Sequence, residues 1–250
     1  MLIPHRSFSA YCATLRDTLG LGPDTCSLLT ISINFDPHIR QSWAHLALGG
    51  RLVIAHKAGH TDPEYVMGLA AEHGVTFLYT VPTLGLEYYR SAAVGGCAAL
   101  RHAAFSGERL PEELVALVAA NTPGKLRCTN IYGPTECTLS STVAVVGPGE
   151  AVTIGRPDHN VHCYVVDAFM QPVPVTVPGE LLLSGPRLSA GYVGHPDLTA
   201  QAFIANPCYY LVKDAVPSRA RQYYRTAYRT GDLVRWLPSG KLEYLGRIDR

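Results

Sequence analysis

The chain predicts an α/β fold, a mostly parallel sheet flanked by helices and followed by a smaller β-rich lobe, on three observations. Up to about residue 147, short apolar runs of strand length alternate with helical patterns, the β-α-β rhythm that builds a parallel sheet covered on both faces. Beyond that point Pro and Gly become frequent and helical patterns nearly vanish; apolar runs at 161–166, 180–183, 233–236 and 242–245 alternate with turns. The composition, 47% hydrophobic and 16% charged over 250 residues with mean hydropathy +0.08, provides for a sizeable interior.

Each element has its own local reason. Residues 27–33 read as a strand, and 39–48 have helical spacing that Gly49 and Gly50 stop. Residues 51–55 form a short apolar strand. Asp62 then caps a helix over 63–73, with Pro63 at its first position and Gly74 just past its end. A strand at 75–80, a helix from Pro82 to 89, a buried strand at 100–105 and a helix at 111–120 follow. An apolar run at 125–128 feeds a Gly133-Pro134 turn. In the second lobe only 197–203 looks helical. Two parts are expected, 1–147 and 148–250.

Charge and cysteine usage exclude several classes. Net charge is +1, with 21 basic and 20 acidic residues dispersed, so neither a nucleic-acid nor a membrane-surface partner is expected. No apolar run approaches the roughly 18 residues of a membrane span and no leader pattern opens the chain, so the expected compartment is the cytoplasm. Seven cysteines without a C-x-x-C pair read as small buried hydrophobes, and the ten dispersed histidines, His56, His60 and His73 among them, as packing or surface residues rather than zinc ligands.

The chemistry concentrates at NIYGPTECT, 130–138, where a strand runs into a turn. Parallel sheets bind ligands beyond the carboxyl ends of their strands. Tyr132 offers a flat face for stacking, and Thr135, Glu136 and Thr138 offer hydroxyls and a carboxylate suited to a phosphate and its Mg2+. An ordinary strand corner with a solvated Glu has the same composition, so the nonapeptide alone leaves both readings open. In YRTGDL, 228–233, Asp232 follows Gly231, which can aim a carboxylate at vicinal hydroxyls; an exposed turn Asp is the commoner fate. GRID, 246–249, brings Arg247 and Asp249 together, and Asp36 follows Phe35 where a helix cap is the ordinary role.

In this order the segments resemble the adenylation domains of nonribosomal peptide synthetases, within the adenylate-forming superfamily that includes acyl-CoA synthetases and luciferases. Residues 130–138 look like the family's N-x-YGPTE motif, and 179–203 are similar to GEL-x-x-x-G-x-x-L-x-x-GY-x-x-x-P-x-LT-x-x-x-F. Residues 228–233 match Y-[RK]-TGD-L, 242–249 resemble LE-[FY]-LGR-x-D at the family's hinge, and the IGRP at 154–157 is similar to another signature. The resemblance runs across essentially the whole chain.

The resemblance implies roles residue by residue. Tyr132, beside Gly133, would stack on adenine, Thr135 would contact phosphate, and Glu136 would hold Mg2+. Asp232 would bind the ribose hydroxyls with Arg247 nearby, Asp36 would pair with a substrate α-ammonium, and Asp249 would be the hinge pivot. ATP and Mg2+ are the implied cofactors. Condensation and carrier-protein domains, the latter with phosphopantetheine, are the implied partners. The family's SGTTG-x-PKG phosphate loop and the lysine-bearing C-terminal subdomain have no counterpart here. Catalysis by this stretch alone is therefore expected to be negligible.

The expected function is activation of an amino acid carboxylate as aminoacyl-AMP. The alternatives are an acyl-CoA or aryl-acid ligase, which has no use for a carboxylate at Asp36, and a non-catalytic binding remnant. By spacing, the family's pocket positions fall on Pro37, Arg40, Tyr79, Ala104, Ser106, Ile131, Leu139 and Ser140. Arg40, four residues after Asp36, shares its face if the segment is helical, and its planar fork suits a second substrate carboxylate such as that of aspartate or glutamate. The competing reading turns Arg40 to solvent or pairs it with Glu87 or another acid.

Overall fold

A computed structural model describes residues 1–56, 58–121 and 126–248. These divide into two compact units, one of 15–131 with 144–152 and the other of 1–14 with 132–143 and 153–250. Residue 147, where the sequence changes texture, falls inside the short piece 144–152.

The first unit is built on a parallel sheet. Strands β1 (Cys26–Leu29), β2 (Arg51–Ile54), β3 (Phe77–Thr80), β4 (His102–Phe105), β5 (Arg127–Tyr132) and β6 (Thr142–Val145) take the order β2-β1-β3-β4-β5-β6. The β1–β2, β1–β3, β3–β4 and β4–β5 pairings are parallel. Burial of β3 on every residue explains its continuous apolar run. Helix α1 (His5–Leu19) is shared between the units, its residues up to Thr14 belonging to the other one, and α2 (Pro37–Ile39), α3 (His45–Ala47), α4 (Pro63–Glu72), α5 (Pro82–Arg90) and α6 (Glu112–Asn121) alternate with these strands in sequence. Leu28, Met67, Leu78, Tyr88, Phe105 and Leu114 form the centre of the core.

Local signals in the sequence mostly hold. Asp62 caps α4 by accepting the Tyr65 amide at 3.1 Å, Pro63 stands at the first position, and Gly74 turns away with φ +61°. Two readings need correction. The strand expected at 27–33 stops at Leu29, because the buried Gln41 side chain accepts the amides of Thr30 (3.1 Å) and Ile31 (2.9 Å) that a neighbouring strand would otherwise bond. The helix expected from 39 begins at Pro37, and between α2 and α3 it passes through a π-helical turn, Arg40–Ala44. Such turns are rare and frequent at functional sites. Helix α1 was not among the expected elements.

The second unit is antiparallel. Strands β8 (His162–Val166), β9 (Gly179–Ser184), β10 (Phe203–Ala205) and β11 (Thr226–Trp236) take the order β10-β11-β9-β8, and β12 (Leu242–Arg247) also pairs with β11. The first residues of β6 pair with β7 (Arg156–Pro157). The strand expected at 233–236 is the end of an eleven-residue strand, β11. Besides α7 (Pro196–Ala202), 3-10 turns at Tyr209–Leu211 and Ser218–Tyr224 add helical structure where none was expected. All seven cysteines are free and buried. No described helix is long and apolar enough to cross a membrane. Lys125, at the start of the run feeding β5, and Asp249, the implied hinge, lie outside the described residues.

Candidate functional site

Three clusters receive the residues singled out in the sequence. The first lies in the antiparallel unit where β11 and β12 pair. Asp232 faces Arg247 across the ladder, next to an irregularity between Leu233 and Val234. The Asp232 carboxylate, 10% exposed, accepts from the Tyr132 hydroxyl, from Arg247 Nη1 at 3.3 Å and from the Tyr244 hydroxyl at 3.4 Å. Its backbone amide donates to Thr230 Oγ1 at 3.0 Å, and Thr230 Oγ1 donates to the Leu181 carbonyl at 2.8 Å, so the carboxylate stands on a fixed base. Gly231 makes the bend possible: its φ is +67°, and a Cβ there would lie 2.8 Å from Arg247 Nη2. Burial, then the neighbouring Asp232 charge, push the Tyr132 hydroxyl well above its ordinary range, so it stays a proton donor.

Tyr132, Asp232 and Arg247 are thus brought together. Sequence reasoning missed Tyr244, whose ring centroid lies 6.2 Å from that of Tyr132, and Thr230. Both sit inside motifs already recognised, and position within the motif was the only available signal.

The second cluster is the turn after β5. Gly133 packs so tightly on the Ser140 backbone that any Cβ would collide with it. A 3-10 turn, Thr135–Cys137, follows, and Thr138 (φ +50°) and Leu139 (φ +73°) adopt left-handed conformations. Each such non-glycine residue costs on the order of 1–3 kcal/mol unless its surroundings impose it. The Glu136 carboxylate accepts from the Tyr192 hydroxyl at 2.6 Å, and its carbonyl accepts the Ser189 amide at 2.8 Å. Burial and then the Glu136 bond hold Tyr192 up at about 12; burial and then the Glu136 charge raise Tyr228 further. Among the described residues no group of three or more His, Cys, Asp or Glu suits a metal. A single carboxylate fits Mg2+ held jointly with nucleotide phosphates, the habit of this ion. Leu139 and Ser140 are both buried. The Ser140 hydroxyl donates to Asp158 Oδ2 at 2.6 Å, which turns it toward its own unit's interior.

The third cluster belongs to the parallel-sheet unit. Asp36 holds the N-cap position of α2 without making a side-chain cap bond, and Pro37 follows at the first helical position. Arg40 comes one helical turn later, fully buried, its guanidinium 4.7 Å above the Tyr79 ring. Tyr79 and Ala104 are register partners on β3 and β4, and the Tyr79 hydroxyl is bonded to Ser106 just beyond β4. Ile131 is buried near the end of β5. Arg40 does not reach solvent, which removes that part of the competing reading, and Glu87 pairs with Arg90 at 3.4 Å. Two supporting residues escaped the sequence reading. Gln41 Nε2 donates to the Tyr79 carbonyl at 2.9 Å, and His45 Nδ1 lies 2.6 Å from the Arg40 carbonyl. Burial lowers His45 to about 4, so at neutral pH its ring is uncharged.

Comparison with known proteins follows the same lines. Residues 1–193 match the model of the AMP-binding enzyme family. The chain is 40% identical to the phosphinothricin tripeptide synthetase PhsB of Streptomyces viridochromogenes, over 91% of the chain and 18% of that protein. It is 34% identical to tyrocidine synthase 3 of Brevibacillus parabrevis, over 100% of the chain and 4% of that protein. The crystal structure of the nonribosomal peptide synthetase FmoA3 bound to α-methyl-L-serine-AMP superposes with a TM-score of 0.87 at 28% identity, covering 99% of this chain and 27% of that one. CmiS6 superposes at 0.86 and 29% identity, covering 99% and 58%. The chain therefore spans less than a fifth of the length of PhsB and of tyrocidine synthase 3. With the family model matched over 193 residues and the site motifs in their expected order, the chain belongs to the AMP-binding enzyme family.

Proposed function

We propose that this chain is part of an adenylation domain of a nonribosomal peptide synthetase. In that reading an amino acid carboxylate attacks the α-phosphorus of ATP, the bond to the β-phosphate breaks, and aminoacyl-AMP and pyrophosphate result. A carrier-protein thiol on phosphopantetheine then attacks the aminoacyl carbonyl, forming a thioester as the bond to phosphate breaks and AMP leaves, in a cytoplasmic assembly with condensation domains. The observation that carries the reading is the Asp232 carboxylate, fixed from below by Thr230 and flanked by Arg247 and the Tyr132 ring. A carboxylate so held suits the paired hydroxyls of a ribose, and an adjacent flat ring suits a base. Glu136 would hold Mg2+, which supplies charge neutralisation at the phosphates when bound. Thr135 would contact phosphate, and Asp36 would receive the α-ammonium, which favours amino acids over acyl or aryl acids.

The test is calorimetric titration of the chain with AMP and with a non-hydrolysable aminoacyl-adenylate mimic. Asp232→Ala should weaken binding at least tenfold, about the effect of losing a charge-assisted hydrogen bond. Equal heats for wild type and variant, with unchanged melting temperature, would remove Asp232 from the site.

A further inference from the structure

The reading above gives no task to an ion pair sealed in the antiparallel unit. Arg187 and Asp158 have side chains 0% and 1% exposed, with Nη1 3.1 Å from Oδ2. Arg187 Nη2 donates to the Thr138 carbonyl at 3.1 Å, to the Ser140 carbonyl and to Ser140 Oγ at 2.9 Å, while Nη1 reaches Thr14 Oγ1 at 3.4 Å. Thr138 Oγ1 donates back to the Arg187 carbonyl at 2.6 Å, Ser140 Oγ donates to Asp158 at 2.6 Å, and the Asp158 amide donates to the Ser141 carbonyl at 2.8 Å. The Tyr11 ring closes the cage, 5.1 Å from the guanidinium.

A buried ion pair is weak support for stability, because desolvation offsets its attraction. What distinguishes this one is its aim. Apart from the ion pair itself and the bond to Thr14, the hydrogen bonds named above all run to 138–141, whose first two residues hold the positive φ angles that need outside support. That segment continues directly from the Thr135–Cys137 turn, and the stretch following Arg187 grips the turn as well, through the Ser189 amide and the Tyr192 hydroxyl on Glu136.

We propose that the Arg187–Asp158 pair is the positioning device for the turn that carries Thr135 and Glu136, holding 138–140 in its left-handed path so that the Glu136 carboxylate stays where phosphate chemistry needs it. The inference rests on the proposed adenylation function for its catalytic consequence and on geometry alone for its structural one. Arg187 and Asp158 are positioning residues, since neither is assigned to substrate.

The experiment compares wild type, Arg187→Lys and the double variant Arg187→Met with Asp158→Asn, which removes the charges together at similar volume. By hydrogen exchange, the double variant should lose protection at 138–141 about tenfold while β8 and β9 keep theirs. In the intact protein that contains this chain, its kcat for pyrophosphate exchange should fall about tenfold to a hundredfold, the scale of a displaced catalytic group, with AMP affinity within about twofold of wild type. Arg187→Lys, which keeps the charge but not the fork, should fall between. Unchanged protection at 138–141 overturns the inference, as does a parallel loss of AMP affinity and kcat, which would mark general loosening. If the wild-type protein exchanges pyrophosphate with no amino acid, the proposed function fails, and hydrogen exchange alone still decides the positioning role.

Discussion

Two arginines in this chain lose all contact with water, Arg40 in the parallel-sheet unit and Arg187 in the antiparallel one, and their surroundings differ in kind. Arg187 is met by a carboxylate, two backbone carbonyls and two hydroxyls, all from its own unit. Arg40 sets its guanidinium over the ring of Tyr79, whose hydroxyl bonds Ser106, one turn after Asp36. A guanidinium that closes its bonds on carbonyls fixes backbone. One set over an aromatic ring fixes a wall, and so bears on what that wall will recognise. The difference teaches that burial alone does not assign a charge to fold or to function; the chemistry of its neighbours does.

The comparison breaks most sharply on stability. Arg187→Met with Asp158 left in place strands a buried carboxylate bonded to the Ser140 hydroxyl without its cation, and should cost about 3–5 kcal/mol in equilibrium urea unfolding. A loss below about 1 kcal/mol, the scale of an exposed pair, would mean that the cage relaxes or admits water and that the two arginines are not different in kind.

How far the sequence reaches can be seen in the same two residues. The family resemblance puts a pocket position on Arg40, and its place one turn after Asp36 follows from helix periodicity, a local property. Arg187 stood in an unspecified position of a recognised motif, and Asp158 just past the end of another. Their pairing depends on a chain reversal across 29 residues that no local pattern encodes. The same limit explains β1. Its apolar run continues to Ile33, but Gln41, placed by the following helix, takes the amides that would have extended the strand. Asp62, Pro63 and Gly74 were legible because cap chemistry acts within one turn. The motif clusters were legible in order and composition, though not in which hydroxyl supports which carboxylate.

A second prediction concerns the support beneath Arg40. His45 bonds the Arg40 carbonyl, and burial lowers it to about 4 from an ordinary 6.5. A buried histidine held neutral stabilises the fold fully above the unfolded pKa, and the stabilisation is lost as pH falls through 6.5 toward 4, because the unfolded chain binds the proton first. The loss is on the order of 2–3 kcal/mol by pH 4. Melting temperatures from pH 7.5 to 4 should fall more steeply for wild type than for His45→Gln, which has no proton to gain. Parallel curves would show that His45 does not govern this region. Arg187 should be indifferent to the substitution.

The most informative test of specificity belongs to Arg40 itself. Arg40→Leu takes a fully buried guanidinium off the Tyr79 ring and puts an apolar side chain in its place, and the stacking part of the cost should be about 1 kcal/mol. If the proposed function holds, the wall formed by Arg40, Tyr79 and Ser106 meets the amino acid's side chain. A planar fork then favours a second carboxylate, with the Tyr79 and Ser106 hydroxyls positioned to add hydrogen bonds to it. Pyrophosphate exchange across the proteinogenic amino acids, in the intact protein, should therefore favour aspartate or glutamate. Arg40→Leu should lower that preference at least tenfold, about 1.4 kcal/mol, while leaving ATP dependence unchanged. A wild-type preference for leucine or phenylalanine would place Arg40 with Arg187, as a residue that shapes its own chain and recognises nothing outside it.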